Sequence, residues 1–302
     1  MSHNELSRRQ FIQRSALLAG AALVSPFSIT AAESAAKRTA VDQVALGKTG
    51  IKLSRLGIGV GSNSGNVQRS LGHEGFNKLV RYAYDQGITY IDTADGYKTH
   101  EWVREAIKGL PREKLYIQSK MGGGGDKPLE ALDRFRKELG VDYIDTVLVH
   151  CTTKANWLEE RKKVVDALAE AQEKKIIRAK GTSCHSLGAL ATAAKSGWVN
   201  VNLVRVNPQA KWIDGNTERW DESGSDITPV LAEIKTMRAN GHGVIGMKII
   251  GNGEFTRPED REKSIRFAMA CKEIDAIVIG FKSPAEIDEA IERMNRALAE
   301  LA

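Results

Sequence analysis

Cysteine is scarce in this chain of 302 residues: there are three, Cys151, Cys184 and Cys271. Three thiols build no disulfide framework, form no Cys-x-x-Cys pair here, and leave at least one free in a monomer. A dominant charge is also lacking, because 44 Lys and Arg stand interspersed with 38 Asp and Glu for a net +6. So small and mixed an excess argues against a nucleic-acid partner, while leaving room for a local basic site that binds an anion. No internal repeat or low-complexity linker divides the chain. Its N-terminal apolar run, Ser15 to Val24, is too short to span a membrane and is soon broken by Pro26.

That run fits a secretory address. Ser7-Arg8-Arg9-Gln10-Phe11-Ile12 precedes it and the small residues Thr30-Ala31-Ala32 follow, the order of positive, apolar and cleavable regions in a signal peptide. The pair Arg8-Arg9 with Phe11 resembles the twin-arginine export signal. The expectation is a signal and short linker over 1–36, a partner in the twin-arginine export machinery, a periplasmic or otherwise exported product, and no stable membrane span after processing. No cysteine lies near the small residues to carry a lipoprotein anchor.

From residue 41 to 302 the pattern reads as a single α/β domain. Val44 to Leu53, with Gly47 and Gly50 between its halves, predicts a hairpin. Candidate strands follow at 56–60, 88–92, 115–119, 145–149, 176–180, 202–206, 243–248 and 275–279. Between them lie helical stripes: Leu132, Phe135 and Leu139, stopped by Gly140; Val164, Val165, Leu168 and Ala171; Ile287, Ala290, Ile291, Met294 and Leu298. Thr228-Pro229 predicts a cap and first-turn proline for a helix over 229–239. Apolar strands alternating with helices imply a parallel sheet, and eight such units favour a closed (β/α)8 TIM barrel, with the N-terminal hairpin as a plug at its bottom. The stretch 207–227 is the longest irregular one, and so long a loop in a compact domain is usually functional.

In such a barrel, chemistry collects at the C-terminal ends of the strands. Three consecutive strands end in Asp92, Lys120 and His150, with Tyr97 five residues after the Asp. Separately, each has a plain structural reading: a turn cap, a packed ring, a satisfied hydrogen-bonder. Together they suit carbonyl reduction, in which negative charge develops on oxygen and needs a proton donor and electrostatic support. Tyr97 would donate, Lys120 would lower the cost of forming tyrosinate, Asp92 would hold the ammonium, and His150 would orient or polarise the oxygen and share the proton.

This order resembles the catalytic tetrad of the aldo-keto reductases: Asp92-Thr93-Ala94-x-x-Tyr97, a strand ending in Lys120, then one ending in His150. Leu46-Gly47-Lys48-Thr49-Gly50 resembles the family's opening hairpin, Leu56 to Gly61 its first strand, Gly181-Thr182-Ser183 the end of its fifth, and Val278 to Ser283 its phosphate-holding eighth. The resemblance implies an NADPH-dependent reductase of aldehydes or ketones, with NADH as the alternative. It places the cofactor on Gly61, Ser62, Ser183, Asn207, Lys282 and Ser283; Lys248, a departure from the family, is expected to meet the pyrophosphate, and no metal is expected.

The chain also departs from the family. Glu286 and Ala290 stand about where members carry Arg and Asn, and a carboxylate there would repel a 2′-phosphate. Cys184-His185 follow Ser183 in place of Asn, and no aromatic follows Met247. Trp157 and Trp212 are expected on loops, as an apolar rim around a carbonyl substrate. Two rival readings use the same strand ends. His150, Cys151, Cys184 and His185 are ligands zinc would accept, although strand alternation points Cys151 away from His150, and Cys151 and Cys184 would pair as a disulfide after export. A barrel with an idle tetrad, acting as a binding or regulatory protein, is the other.

Overall fold

The computed structural model describes residues 38–122 and 126–301. The export-signal reading of 1–36 lies outside the described residues, as do Gly123, Gly124 and Gly125 of the 121–127 loop. Strands β1 (Gln43–Ala45) and β2 (Lys52–Ser54) form the hairpin, with Val44 opposite Leu53. Gly47 and Gly50 take positive φ values of 51° and 73° in its turn, which a glycine adopts at little cost.

Eight parallel strands then close on themselves: β3 (Leu56–Gly59), β4 (Tyr90–Asp92), β5 (Tyr116–Met121), β6 (Ile144–Thr152), β7 (Ile177–Cys184), β8 (Val201–Arg205), β9 (Gly243–Met247) and β10 (Ala276–Gly280), which pairs back to β3. Outside stand helices α1 (Asn66–Arg69), α2 (Gly72–Asp85), α3 (His100–Ile107), α4 (Pro128–Leu139), α5 (Trp157–Glu160), α6 (Lys162–Glu173), α7 (Leu187–Lys195), α8 (Thr228–Ala239), α9 (Pro258–Ala270) and α10 (Pro284–Glu300).

Each side-chain stripe reaches its intended partner. Leu132, Phe135 and Leu139 are buried, and Gly140 ends α4 in the left-handed conformation at φ 67°. One cap differs: Thr228 is the first helical residue of α8, and its N–H donates to Oδ1 of Asp226. Two strands run three or more residues beyond their expected ends. β7 extends to Cys184, so Ser183 lies within it. β6 extends to Thr152 through an irregularity between Val149 and Thr152, where Cys151 has φ 58°. Regular alternation is therefore lost at Cys151.

Alternate strand residues fill two cores. One face packs on the helices. The other forms an interior column of Tyr90, Tyr116, Leu148, Leu203, Ile245 and Val278, capped from below by the hairpin's Leu46, Ile51 and Leu53. The hairpin is thus the expected bottom plug. It is fastened by Asp275, which accepts from the Gly47 and Val244 N–H groups at 3.1 and 2.9 Å and from Arg238. Between Arg205 and Thr228 there is neither helix nor strand. No helix among the described residues is long and apolar enough to cross a membrane.

Candidate functional site

With the bottom plugged, only the C-terminal mouth can admit a substrate. Inward strand positions arrive there in order. Asp92 ends β4, two residues above Tyr90, and Lys120 lies two above Gln118 and four above Tyr116 on β5. Lys120 Nζ donates to both carboxylate oxygens of Asp92 at 2.7 Å and to Thr93 O at 2.9 Å. Gln118 Nε2 braces Asp92 from below at 2.8 Å and also donates to Tyr90 Oη at 2.9 Å. Sequence reasoning missed Gln118, although its even spacing from Lys120 put it on the same inner face.

Tyr97 follows in a short 3₁₀ turn, Asp95–Tyr97. Lys120 Nζ lies 4.8 Å from its ring centre, and its hydroxyl is 3.5 Å from His150 Nε2. Gly61 makes room for the ring, because a Cβ there would lie 2.1 Å from Tyr97 Cε2. All four residues of the expected tetrad therefore meet.

Their electrostatics differ from the expectation in one respect. Burial pushes the Tyr97 phenol above its usual value, and the nearby Lys120 only partly offsets that. Burial also acts against the Lys120 ammonium, but Asp92 and Tyr97 more than offset it and raise its pKa. His150 is driven down to about 3 by desolvation and by the neighbouring Lys120 and Lys248. It is therefore a neutral imidazole near pH 7, able to donate one hydrogen bond and accept another.

Beside the tetrad runs a groove of about 470 Å³, walled by Gly61, Ser62, Tyr97, Lys248, Lys282 and Glu286 among others. Gln68, another residue the sequence did not single out, holds its edge. Its side chain accepts from Ser62 N–H at 3.0 Å and donates to Phe281 O at 3.2 Å. Lys248 has φ 59°, and desolvation with Arg205 and Lys120 nearby lowers its ammonium to about 8. Ser183 Oγ is buried without a hydrogen-bond partner. Ser283 caps α10. Glu286 accepts from Lys282 N–H at 2.7 Å and lies 3.7 Å from Lys282 Nζ, so a carboxylate already engages this lysine.

Other expected residues sit differently. Asn207 is buried and engaged by backbone, donating to Lys211 O and Lys248 O and accepting from Lys211 N–H. Trp212 remains partly exposed at the mouth, its Nε1–H on Glu254. Trp157 corrects the expectation of a substrate rim: it is 0 % exposed in α5, stacked edge-on with Trp198 and donating to Ala189 O. The short helix turns its indole inward under the loop. Among the described residues no group of three or more His, Cys, Asp or Glu is placed to hold a metal ion. All three cysteines are free thiols.

A closed barrel with a polar mouth and an adjoining groove places the molecule in the (β/α)8 class. The sequence profile of the aldo/keto reductase family matches residues 55–302, and the chain belongs to that family. It is 30% identical over 165 residues to a 9,11-endoperoxide prostaglandin H2 reductase of Trypanosoma cruzi, covering 52% of this chain and 54% of that protein. It is 35% identical over 105 residues to an aldehyde reductase of Saccharomyces cerevisiae, covering 34% of this chain and 31% of the other. The matched stretch thus spans about half the length of these curated relatives or less. Among solved structures, an aldo-keto reductase of Bacillus halodurans in its holo form superposes with a TM-score of 0.65 at 16% identity, over 88% of this chain and 97% of that one. At that identity the likeness concerns the fold.

Proposed function

We propose that the protein reduces an aldehyde or ketone to an alcohol with a nicotinamide dinucleotide bound in the groove beside Tyr97. The observation that carries this reading is the meeting of Tyr97, His150, Lys120 and Asp92 at the open end of the barrel. A bound NAD(P)H supplies the hydride to the carbonyl carbon. The developing oxyanion takes its proton from the Tyr97 hydroxyl, and the neutral His150 imidazole orients and polarises the same oxygen. Lys120, fixed by Asp92, offsets part of the cost of the tyrosinate left behind, which solvent reprotonates.

Support for a dinucleotide comes from Lys248 and Lys282 in the groove wall, from the unpartnered Ser183 Oγ, and from the helix N-terminus of α10. Among the relatives, a glycerol 2-dehydrogenase of Saccharomyces cerevisiae carries NADP(+) in its name, at 33% identity over 105 residues. Lys282 and Ser283 favour NADPH and Glu286 opposes it, so the choice between NADPH and NADH turns on that carboxylate. The Arg8-Arg9 pair supports export of the folded, loaded enzyme through the twin-arginine machinery. Tyr97→Phe tests the chemistry: it should cut turnover by about a thousandfold or more while cofactor fluorescence still shows binding. Full activity in that variant would overturn the reading.

A further inference from the structure

One buried acid of the barrel, Asp214, is bonded unlike the others. At the bottom, Asp145 is saturated, accepting from Arg112 at 2.7 Å, Arg178 at 2.7 Å and Ile117 N–H at 2.9 Å. Asp275 is similarly filled by Arg238 and two backbone N–H groups. In both, the carboxylate is closed by short bonds to a guanidinium and to backbone N–H groups.

At the mouth, Arg205 and Asp214 are 1 % and 0 % exposed, yet their nearest approach is 3.6 Å, beyond a hydrogen bond. Arg205 Nε has no acceptor and neither Asp214 oxygen has a donor. The guanidinium's terminal nitrogens reach only the backbone oxygens of Trp220 and Glu222, in the long loop that follows β8. A buried charge is normally closed by bonding. This one is left with unused donor capacity.

Arg205 also stands at the open end of the barrel interior. Val201 and Leu203 line the barrel interior, so alternation makes Arg205 the next inward position of β8, at its open end. It lies opposite Met247 on β9, and Leu203 beneath it lies opposite Ser183 on β7. Its charge is close enough to hold down the titration of both His185 and Lys248. Trp220, whose carbonyl it holds, is 59 % exposed, so the segment that covers the guanidinium carries an unpacked indole.

We propose that Arg205, with Asp214 beside it, recognises a carboxylate carried by the carbonyl substrate, so that the enzyme prefers oxo acids to neutral aldehydes and ketones. The proposal rests on the reductase reading and adds the substrate class to it. The carbonyls of Trp220 and Glu222 hold the place that the carboxylate takes when the 207–227 loop yields. A guanidinium fork matches a planar carboxylate through two parallel N–H bonds. One buried cation flanked by an acid suits a monoanion and opposes a phosphate dianion. Burial pushes Asp214 up to about 7, so it holds a proton readily and can donate it to an incoming carboxylate oxygen.

The test compares the three formylbenzoate isomers with the matching formylbenzamides, which keep the aldehyde and lose the charge. Wild-type kcat/KM should favour the best acid over its amide by roughly 10- to 100-fold, mainly through KM. Arg205→Gln should bring that ratio close to one, and Arg205→Lys should keep part of it. A wild-type ratio at or below one, or a preference that survives Arg205→Gln, overturns the proposal. Calorimetric binding of the (hydroxymethyl)benzoates and (hydroxymethyl)benzamides supplies a readout without turnover. Selective binding of the acids that Arg205→Gln abolishes, in a protein that reduces neither aldehyde, would keep the anion site and overturn the reductase reading. Should Arg205→Gln fail to fold, Asp214→Asn decides: retained or stronger acid preference supports the site, and loss of folding in both variants marks the pair as purely structural.

Discussion

Lys120 meets Asp92 through both carboxylate oxygens at 2.7 Å, and the two residues are 1 % and 6 % exposed. The ammonium therefore keeps its charge in a setting that would otherwise strip it, directly beside the Tyr97 ring.

Asp92→Asn removes one charge and leaves the other buried. Breaking a buried pair in this way costs about 3–5 kcal/mol of stability, and turnover should fall roughly a hundredfold or more as Lys120 loses its fixed position. Urea unfolding and steady-state rates measure the two losses separately. A stable variant with normal turnover would show that the pair does not serve Tyr97.

Glu286→Gln should shift cofactor choice. Its carboxylate sits 3.7 Å from Lys282 Nζ, and removing it should tighten NADPH binding by roughly three- to tenfold relative to NADH. Fluorescence titration with each dinucleotide reads this directly. An unchanged ratio would mean that the 2′-position lies elsewhere in the groove.

If the proposed dinucleotide lies against Lys248, its binding should depend on pH with a definite sign. Its ammonium is lowered to about 8, so the cationic form that attracts a diphosphate predominates below that pH and is lost as pH rises through it. Affinity for either dinucleotide should weaken from pH 7 to 9.5, with the midpoint shifted upward by the bound anion. Lys248→Gln should bind more weakly throughout and lose the dependence.

Trp157→Ala separates packing from substrate contact. A fully buried indole is worth about 3–5 kcal/mol on truncation, so thermal or urea denaturation should register a large loss. KM values of the folded fraction should stay as they are. A changed KM with unchanged stability would restore Trp157 to the substrate rim.

The barrel was legible because its signals are periodic. Alternating strands, stopped helices such as the one ending at Gly140, and polar residues at three successive strand ends are all local in sequence. The tetrad could be read for the same reason. Trp157 could not, because a tryptophan after a strand looks the same whether a short helix turns it inward or outward. Cys151 defeated the alternation rule because an irregularity in β6 carries no marker in composition. The downward pull of Lys120 on Tyr97 was correctly located, but burial outweighs it, and burial depends on the whole mouth. Arg205 lay in a candidate strand at an inward position, yet its significance comes from bonds it does not make to Asp214, nine residues along an irregular loop.

The hairpin plug has a consequence for how the molecule is made. Gly47 N–H is held by Asp275, and Ala40 N–H by Asn295 at 2.8 Å, so the earliest described residues are fastened by residues far along the chain. Contacts of such sequence separation are slow to form, and the bottom stays open until the final strand and helix are in place. The docked hairpin thus ties together segments more than two hundred residues apart, and its seal forms only when both have folded.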